Sequence, residues 1–137
     1  MATNGRRSGH STQWAAQFAV ASELCKQGYE VAFTMGNAPS VDLMVMSPQG
    51  ERFQVQVKGL RGRNPWFVPK KAERPENLFY FFAYVPPDAP SQIFVMNQEQ
   101  LEALVRGEVA ELERPAYLNW KQVANDEYRY HRDKLPK

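Results

Sequence analysis

A chain of 137 residues with 43% hydrophobic content is long enough for one domain with a sizeable core, and too short for two ordinary ones. Its net charge of +2 is too mild to point to a nucleic-acid partner by itself, and its single cysteine, Cys25, excludes an internal disulfide and suits a reducing cytoplasm. No apolar run approaches the ~18 residues of a membrane span and the N-terminus lacks a signal-like apolar region, so a cytoplasmic protein with no membrane partner is expected.

Residues 1–10, MATNGRRSGH, are polar and read as a disordered N-terminal tail, which leaves residues 11–137 as a single domain. Arg6 and Arg7 are then tail charge and His10 a solvated side chain. Ser11 or Thr12 can cap a helix running to about Lys26, with Gly28 ending it. Trp14, Phe18, Ala21 and Cys25 form one apolar stripe, with Val20 and Leu24 further round and Gln17 near its polar boundary. Such a helix should lie against a sheet, with Cys25 packed inside. Tyr29 to Thr34 reads as a first strand, and Gly36-Asn-Ala-Pro39 as a loop leading towards Asp42.

The stretch from Val41 to Gly59 organises the rest. Val41 to Met46 and Phe53 to Lys58 are two strands separated by Ser47-Pro-Gln-Gly50, which carries turn residues. In the second strand Phe53, Val55 and Val57 point to one face, and Gln54, Gln56 and Lys58 to the other. Asp42 sits in an apolar segment and needs a partner, a strand-end position or a metal. Folded as a hairpin, the two strands return Asp42 beside Gln56 and Lys58, an arrangement that suits a divalent cation and a phosphate. Taken singly, Asp42 can be a strand cap, Gln56 a solvent-facing sheet residue and Lys58 a surface charge.

From Lys58 to Arg74 the chain carries Lys58, Arg61, Arg63, Lys70, Lys71 and Arg74 against Glu73 alone. A basic loop leaving the presumed site is what a phosphate backbone would meet first, and Arg61, Arg63, Lys70 and Lys71 are the candidate contacts. The alternative is a solvated loop whose aromatics reach the core. Trp66 to Val68 forms a short strand or packed loop, and Trp66 reads first as a core aromatic, with base stacking as its alternative. Leu78 to Val85, the most apolar stretch, is expected to be a central strand, and Pro86 to Pro90 a surface turn. Gln92 to Met96 is a further strand, and Asn97 caps a helix from Gln98 to Val105 closed by Gly107. Val109 to Leu112 is too short to classify, and Trp120 to Ala124 reads as one helical turn. Tyr128, Tyr130 and Leu135 are apolar residues of a charged tail that packs over the domain. His131 has no Cys/His cluster beside it, so no zinc site is expected.

Asp42 followed by Gln56-Val57-Lys58 resembles the core motif of the PD-(D/E)XK nuclease superfamily in its Q-x-K form. More closely, the chain is similar to small stand-alone endonuclease-like proteins related to archaeal Holliday junction resolvases, through residues 15–33, 36–45, 53–59 and 77–85. The resemblance implies an α/β, restriction-endonuclease-like fold: a mixed central sheet flanked by helices. It implies a divalent-metal-dependent endodeoxyribonuclease, in one form structure-specific, using Mg²⁺ or Mn²⁺. Asp42 falls on the metal-binding aspartate, Gln56 on the second acidic position, and Lys58 on the lysine that orients the attacking water. Gln17 falls where many relatives place a helix glutamate, and Glu23, about 120° further round, is a poor substitute. Asp42 is thus the one carboxylate left in the motif, which keeps open a second expectation: a weakened nuclease fold serving as a nucleic-acid-binding or protein-interaction module. DNA is the expected partner, RNA is an alternative, and a homodimer is left open.

Overall fold

A computed structural model describes residues 5–36, 41–68, 77–105 and 116–137 of the protein. Helix α1 (Gly5–Lys26) leads into β1 (Glu30–Phe33), β2 (Leu43–Met46) and β3 (Arg52–Leu60). Short β4 (Trp66–Val68), then β5 (Leu78–Tyr84), β6 (Gln92–Asn97), α2 (Gln98–Val105), β7 (Ala116–Leu118) and α3 (Trp120–Val123) follow, with a 3₁₀ turn at Arg132–Lys134. Five strands form a mixed sheet in the order β1-β2-β3-β5-β6, and β4 pairs with β7 in a separate two-stranded ribbon. Among the described residues no helix is long and apolar enough to cross a membrane.

β1, β2 and β3 run as an antiparallel meander, with Leu43 opposite Val55 and Val45 opposite Phe53. The turn between β2 and β3 closes as its residues suggest. Gly50 takes φ 91°, its N–H donates to Ser47 O at 2.9 Å, and Glu51 N–H donates to the Ser47 hydroxyl at 2.9 Å. β5 lies parallel to β3, with Gln56 opposite Tyr80 and Lys58 opposite Phe82, and β6 is antiparallel to β5.

The alternation in β3 separates two cores, one on each face of the sheet. Phe53, Val55 and Val57 join Leu43, Val45, Phe81 and Val95 under Ala16, Val20 and Leu24 of α1. Across the sheet, Tyr80, Phe82, Phe94 and Met96 pack with Trp66, Leu101, Leu118 and Val123. β5 is buried on both faces, which is why its sequence reads as a continuous apolar run.

α1 departs from the expected helix in two ways. It begins at Gly5 rather than at a cap on Ser11 or Thr12, so residues 5–10 belong to the helix rather than to a tail. Its buried stripe runs through Ala16, Gln17, Val20, Ala21 and Leu24, while Phe18 and Cys25 are exposed and Trp14 is half-buried. Cys25 is therefore not packed. The reason lies at Gly59, where a Cβ would stand 2.7 Å from Ala16 Cβ and 3.2 Å from Thr12 O. Backbone approaching helix this closely admits only a small residue at the contact, so Ala16 faces β3 and the aromatics turn to the flank. There Phe18 packs on Trp14, with ring centroids 5.7 Å apart, and on Phe33 of β1 at 5.4 Å.

Asn97 and Gln100 cap α2 reciprocally, Gln100 N–H to Asn97 Oδ1 at 2.8 Å and Asn97 N–H to Gln100 Oε1 at 2.9 Å. The Gly107 stop and Val109 to Leu112 lie outside the described residues. β7 has no counterpart in the expected elements; three residues are too few to show a period. The tail packs as expected. Tyr128 O accepts Val95 N–H at 2.7 Å and Tyr130 N–H donates to Ile93 O at 2.8 Å, so it covers the outer edge of β6. Tyr130 also donates to Gln27 Oε1, and Tyr29 donates to Pro136 O at 2.7 Å, tying the tail to the end of α1.

The close approach at Gly59 sets the first prediction. Gly59→Ala should destabilise the fold by about 1–3 kcal/mol through overpacking against Ala16. Thermal melting of both single variants and the double variant measures this, and Gly59→Ala should do less harm in an Ala16→Gly background. Additive effects would show that the helix does not bear on Gly59.

Candidate active site

Three of the four motif residues meet at the open end of the β2–β3 hairpin. Because β2 starts at Leu43, its main-chain ladder with β3 runs out opposite Gln56. Asp42 N–H still reaches Val55 O at 2.9 Å, and beyond that point the side chain takes over: Asp42 Oδ2 accepts the Val57 N–H at 2.7 Å. The carboxylate thus replaces a backbone acceptor, which satisfies a strand N–H and gives the half-buried acid a charge-assisted bond. The strand-cap reading of Asp42 is correct, and the same bond fixes the carboxylate beside the peptide flanked by Gln56 and Lys58.

Gln56 is not a solvent-facing sheet residue. It is 9% exposed, and its Oε1 has no partner among the described residues. Leaving such an acceptor unpaired costs about 1–3 kcal/mol, so the position favours a donor or a cation. Gln54 Oε1, two residues earlier on the same face of β3, and Trp66 Nε1 are buried in the same condition.

Lys58 is partly buried rather than a free surface charge. Desolvation lowers its pKa from the ordinary 10.5 to about 8, and the nearby Asp42 carboxylate works against that fall. At neutral pH the side chain is therefore an ammonium held in a dry setting, where its charge acts strongly on an anion.

Gln17 stands apart from the other three. It is 9% exposed and belongs to the side of α1 that packs on the odd-numbered residues of β3, whereas Gln56 and Lys58 belong to the even-numbered side. The helix reaches the motif strand through Gln13 instead, whose Nε2 donates to Val57 O at 2.9 Å. The main chain of Val57 is consequently held on both sides of its Cα, at the N–H by Asp42 and at the C=O by Gln13. Gln13 is missing from the sequence-derived set. Its available signal was its place one turn before Gln17, in line with Ala16 and Val20.

In the basic loop, Arg61 and Arg63 are exposed. The Arg63 guanidinium lies 5.1 Å from the Trp120 ring centroid and 5.9 Å from that of Tyr84, a cation–π arrangement that orients it. Lys70 and Lys71 lie outside the described residues. Trp66 is core: it is 1% exposed, stacks on Trp120 at 5.4 Å and meets Phe82 edge-on at 5.5 Å. Base stacking by Trp66 is thereby excluded.

Among the described residues no group of three or more His, Cys, Asp or Glu side chains comes together to hold a metal ion. A cation here would rest on the Asp42 carboxylate and the Gln56 amide oxygen. Compared with family models, with curated proteins and with solved structures, the chain matches none of them.

The environment of Lys58 gives a pH dependence. In the metal-free protein with EDTA present, the folded state sheds the Lys58 proton above about pH 8, while the unfolded chain keeps it to about 10.5. Stability from this group therefore rises with pH across that window, by at most about 1.4 kcal/mol per pH unit. Tyr29 and Tyr128, whose pKa values burial raises, oppose it only above about pH 10. Urea denaturation between about pH 7.5 and 9.5 should show the wild type gaining on Lys58→Met. A pH-independent difference would mean that Lys58 is solvated.

Proposed function

We propose that this protein is a PD-(D/E)XK-type phosphodiesterase that binds DNA and hydrolyses its backbone with the help of a divalent metal. The observation that carries the reading is that the hairpin register sets Asp42 across from Gln56, whose buried oxygen has no partner among the described residues, and that Asp42 acts electrostatically on the desolvated Lys58. The architecture supports it, since a helix, an antiparallel meander bearing the motif and a strand parallel to β3 are what a restriction-endonuclease-like core would supply.

Asp42 and Gln56 offer two oxygen ligands and one negative charge, a small set of the kind that Mg²⁺ accepts when substrate phosphates complete its shell. Bound there, Mg²⁺ or Mn²⁺ would supply Lewis-acid polarisation of the scissile phosphate. The chain's own residues do the rest. Lys58 places positive charge where the phosphate oxygens become more negative, and its N–H donors can orient a water for attack. Asp42 and Gln13 hold the two peptide groups that flank the Val57 Cα, so the side chains of Gln56 and Lys58 on either side keep their spacing. Arg61 is free to meet a flanking phosphate.

A second reading is favoured by the scarcity of charge. Asp42 already spends Oδ2 on Val57 N–H, Gln56 is neutral, and Gln17, where a helix carboxylate was expected, is both neutral and on the other side of β3. On this reading the fold binds nucleic acid with reduced or absent chemistry.

Plasmid nicking with Mn²⁺ decides between them. Lys58→Ala should lower cleavage by about 100-fold or more while leaving DNA binding largely intact. Asp42→Asn keeps an oxygen for Val57 N–H but removes the charge, so it should abolish cleavage and metal affinity with little loss of fold. Cleavage surviving both substitutions would place the activity elsewhere. A wild type that binds DNA but cleaves no substrate with Mn²⁺ or Mg²⁺ would support the second reading.

A further inference from the structure

The ribbon formed by β4 and β7 turns Trp66, Val68 and Leu118 into the core. Its outer face carries Phe67 and Tyr117, directly opposite one another, edge-to-face at 5.4 Å and 61°, and 44% and 64% exposed. Neither ring is needed to fill the core, and the two large aromatics stand side by side with much of their surface in water. Residues 61–68 and 116–121 carry Arg61, Arg63 and Lys121, and the sequence adjoining the ribbon at 69–76 and 111–115 adds Lys70, Lys71, Arg74 and Arg114 against Glu73, Glu76, Glu111 and Glu113, so basic residues outnumber acidic ones across these stretches. One of these cations, Arg63, is tied to the ribbon by contact as well as by sequence. Arg63 lies over Trp120, Trp120 stacks on Trp66, and Trp66 is the neighbour of Phe67.

We infer that Phe67 and Tyr117 form a platform on which unpaired bases of a single-stranded nucleic-acid segment stack, while Arg61, Arg63 and Lys121 attend its phosphates. Base–aromatic stacking tolerates any sequence, and the adjoining positive charge favours a polyanion over an apolar protein surface. In duplex DNA the base faces are already stacked on one another, so the platform selects frayed, gapped or branched sites over continuous duplex. This deepens the nucleic-acid reading above by naming the form of substrate. A cross-strand aromatic pair also steadies a short ribbon, so the test must separate stacking from stability.

The full-length protein is titrated with a labelled 20-nucleotide oligothymidine and with an abasic oligonucleotide of the same length and charge. Wild type should bind the oligothymidine about tenfold or more tightly than the abasic strand. Tyr117→Ala and Phe67→Leu should each bring this ratio towards one, leaving abasic binding unchanged. Arg61→Ala with Arg63→Ala should weaken both ligands alike. Thermal melting confirms that each variant is folded, and the wild-type ratio alone decides the matter if one is not. Equal affinity of wild type for the two strands, or a preference that survives both aromatic substitutions, overturns the platform. Wild-type nicking of plasmid with no base preference would leave the phosphodiesterase reading standing without it. A base preference without any cleavage would leave the platform standing without the phosphodiesterase.

Discussion

The bond from Val57 N–H to Asp42 Oδ2 is the constraint on which the proposed site depends. It exists because β2 begins at Leu43, two residues short of the position that would pair with Val57, and the unmet N–H recruits a side chain instead. An acid in an apolar strand would otherwise have to be neutralised or exposed. The bond pins it in line with the sheet, near enough for its charge to bear on Lys58. Gln13 secures the following peptide, through the Val57 carbonyl, from the helix side. Helix α1 can reach that far only because Gly59 and Ala16 let the backbone of β3 and the helix come close.

Much of this was legible from residue order. The turn at Ser47 to Gly50 and the alternation from Phe53 to Lys58 specified the hairpin, its register and the faces, because a period of two leaves little freedom once one face is apolar. The facing of α1 was misread for a physical reason. Hydrophobicity alone ranks Trp14 and Phe18 as the core stripe, but steric fit at Gly59 ranks Ala16 first, and a partner glycine more than forty residues away is invisible to helical periodicity. The same facing puts Gln17 on the opposite side of β3 from Gln56 and Lys58, and it makes Gln13 the glutamine that touches the motif strand. β7 escaped notice because its three residues pair with β4 across a long separation, and no local pattern marks such a contact.

Burial changes the meaning of the motif residues more than their identity does. Gln56 and Lys58 would be ordinary on an open sheet face. With Trp66, Leu118 and Tyr80 packed on that side, one becomes an acceptor without a partner and the other a cation with weakened hydration. β3 then leads from Lys58 through Gly59 and Leu60 into Arg61 to Arg63 and on to β4, so the proposed chemical site and the aromatic ribbon are successive parts of one run of chain. A nucleic-acid strand following that run would meet charge at Lys58, charge again at Arg61 and aromatic faces at Phe67 and Tyr117.

The most direct measurement of the central claim is paramagnetic broadening by Mn²⁺ in ¹⁵N-resolved spectra, recorded with a non-cleavable phosphorothioate oligonucleotide present. Broadening centred on the Val57 amide and the Gln56 side-chain NH₂, stronger with the oligonucleotide than without it and lost in Asp42→Asn, is the predicted result. Signals at Gln56 and Val57 that stay sharp while others broaden, or broadening there that persists in Asp42→Asn, would contradict the account.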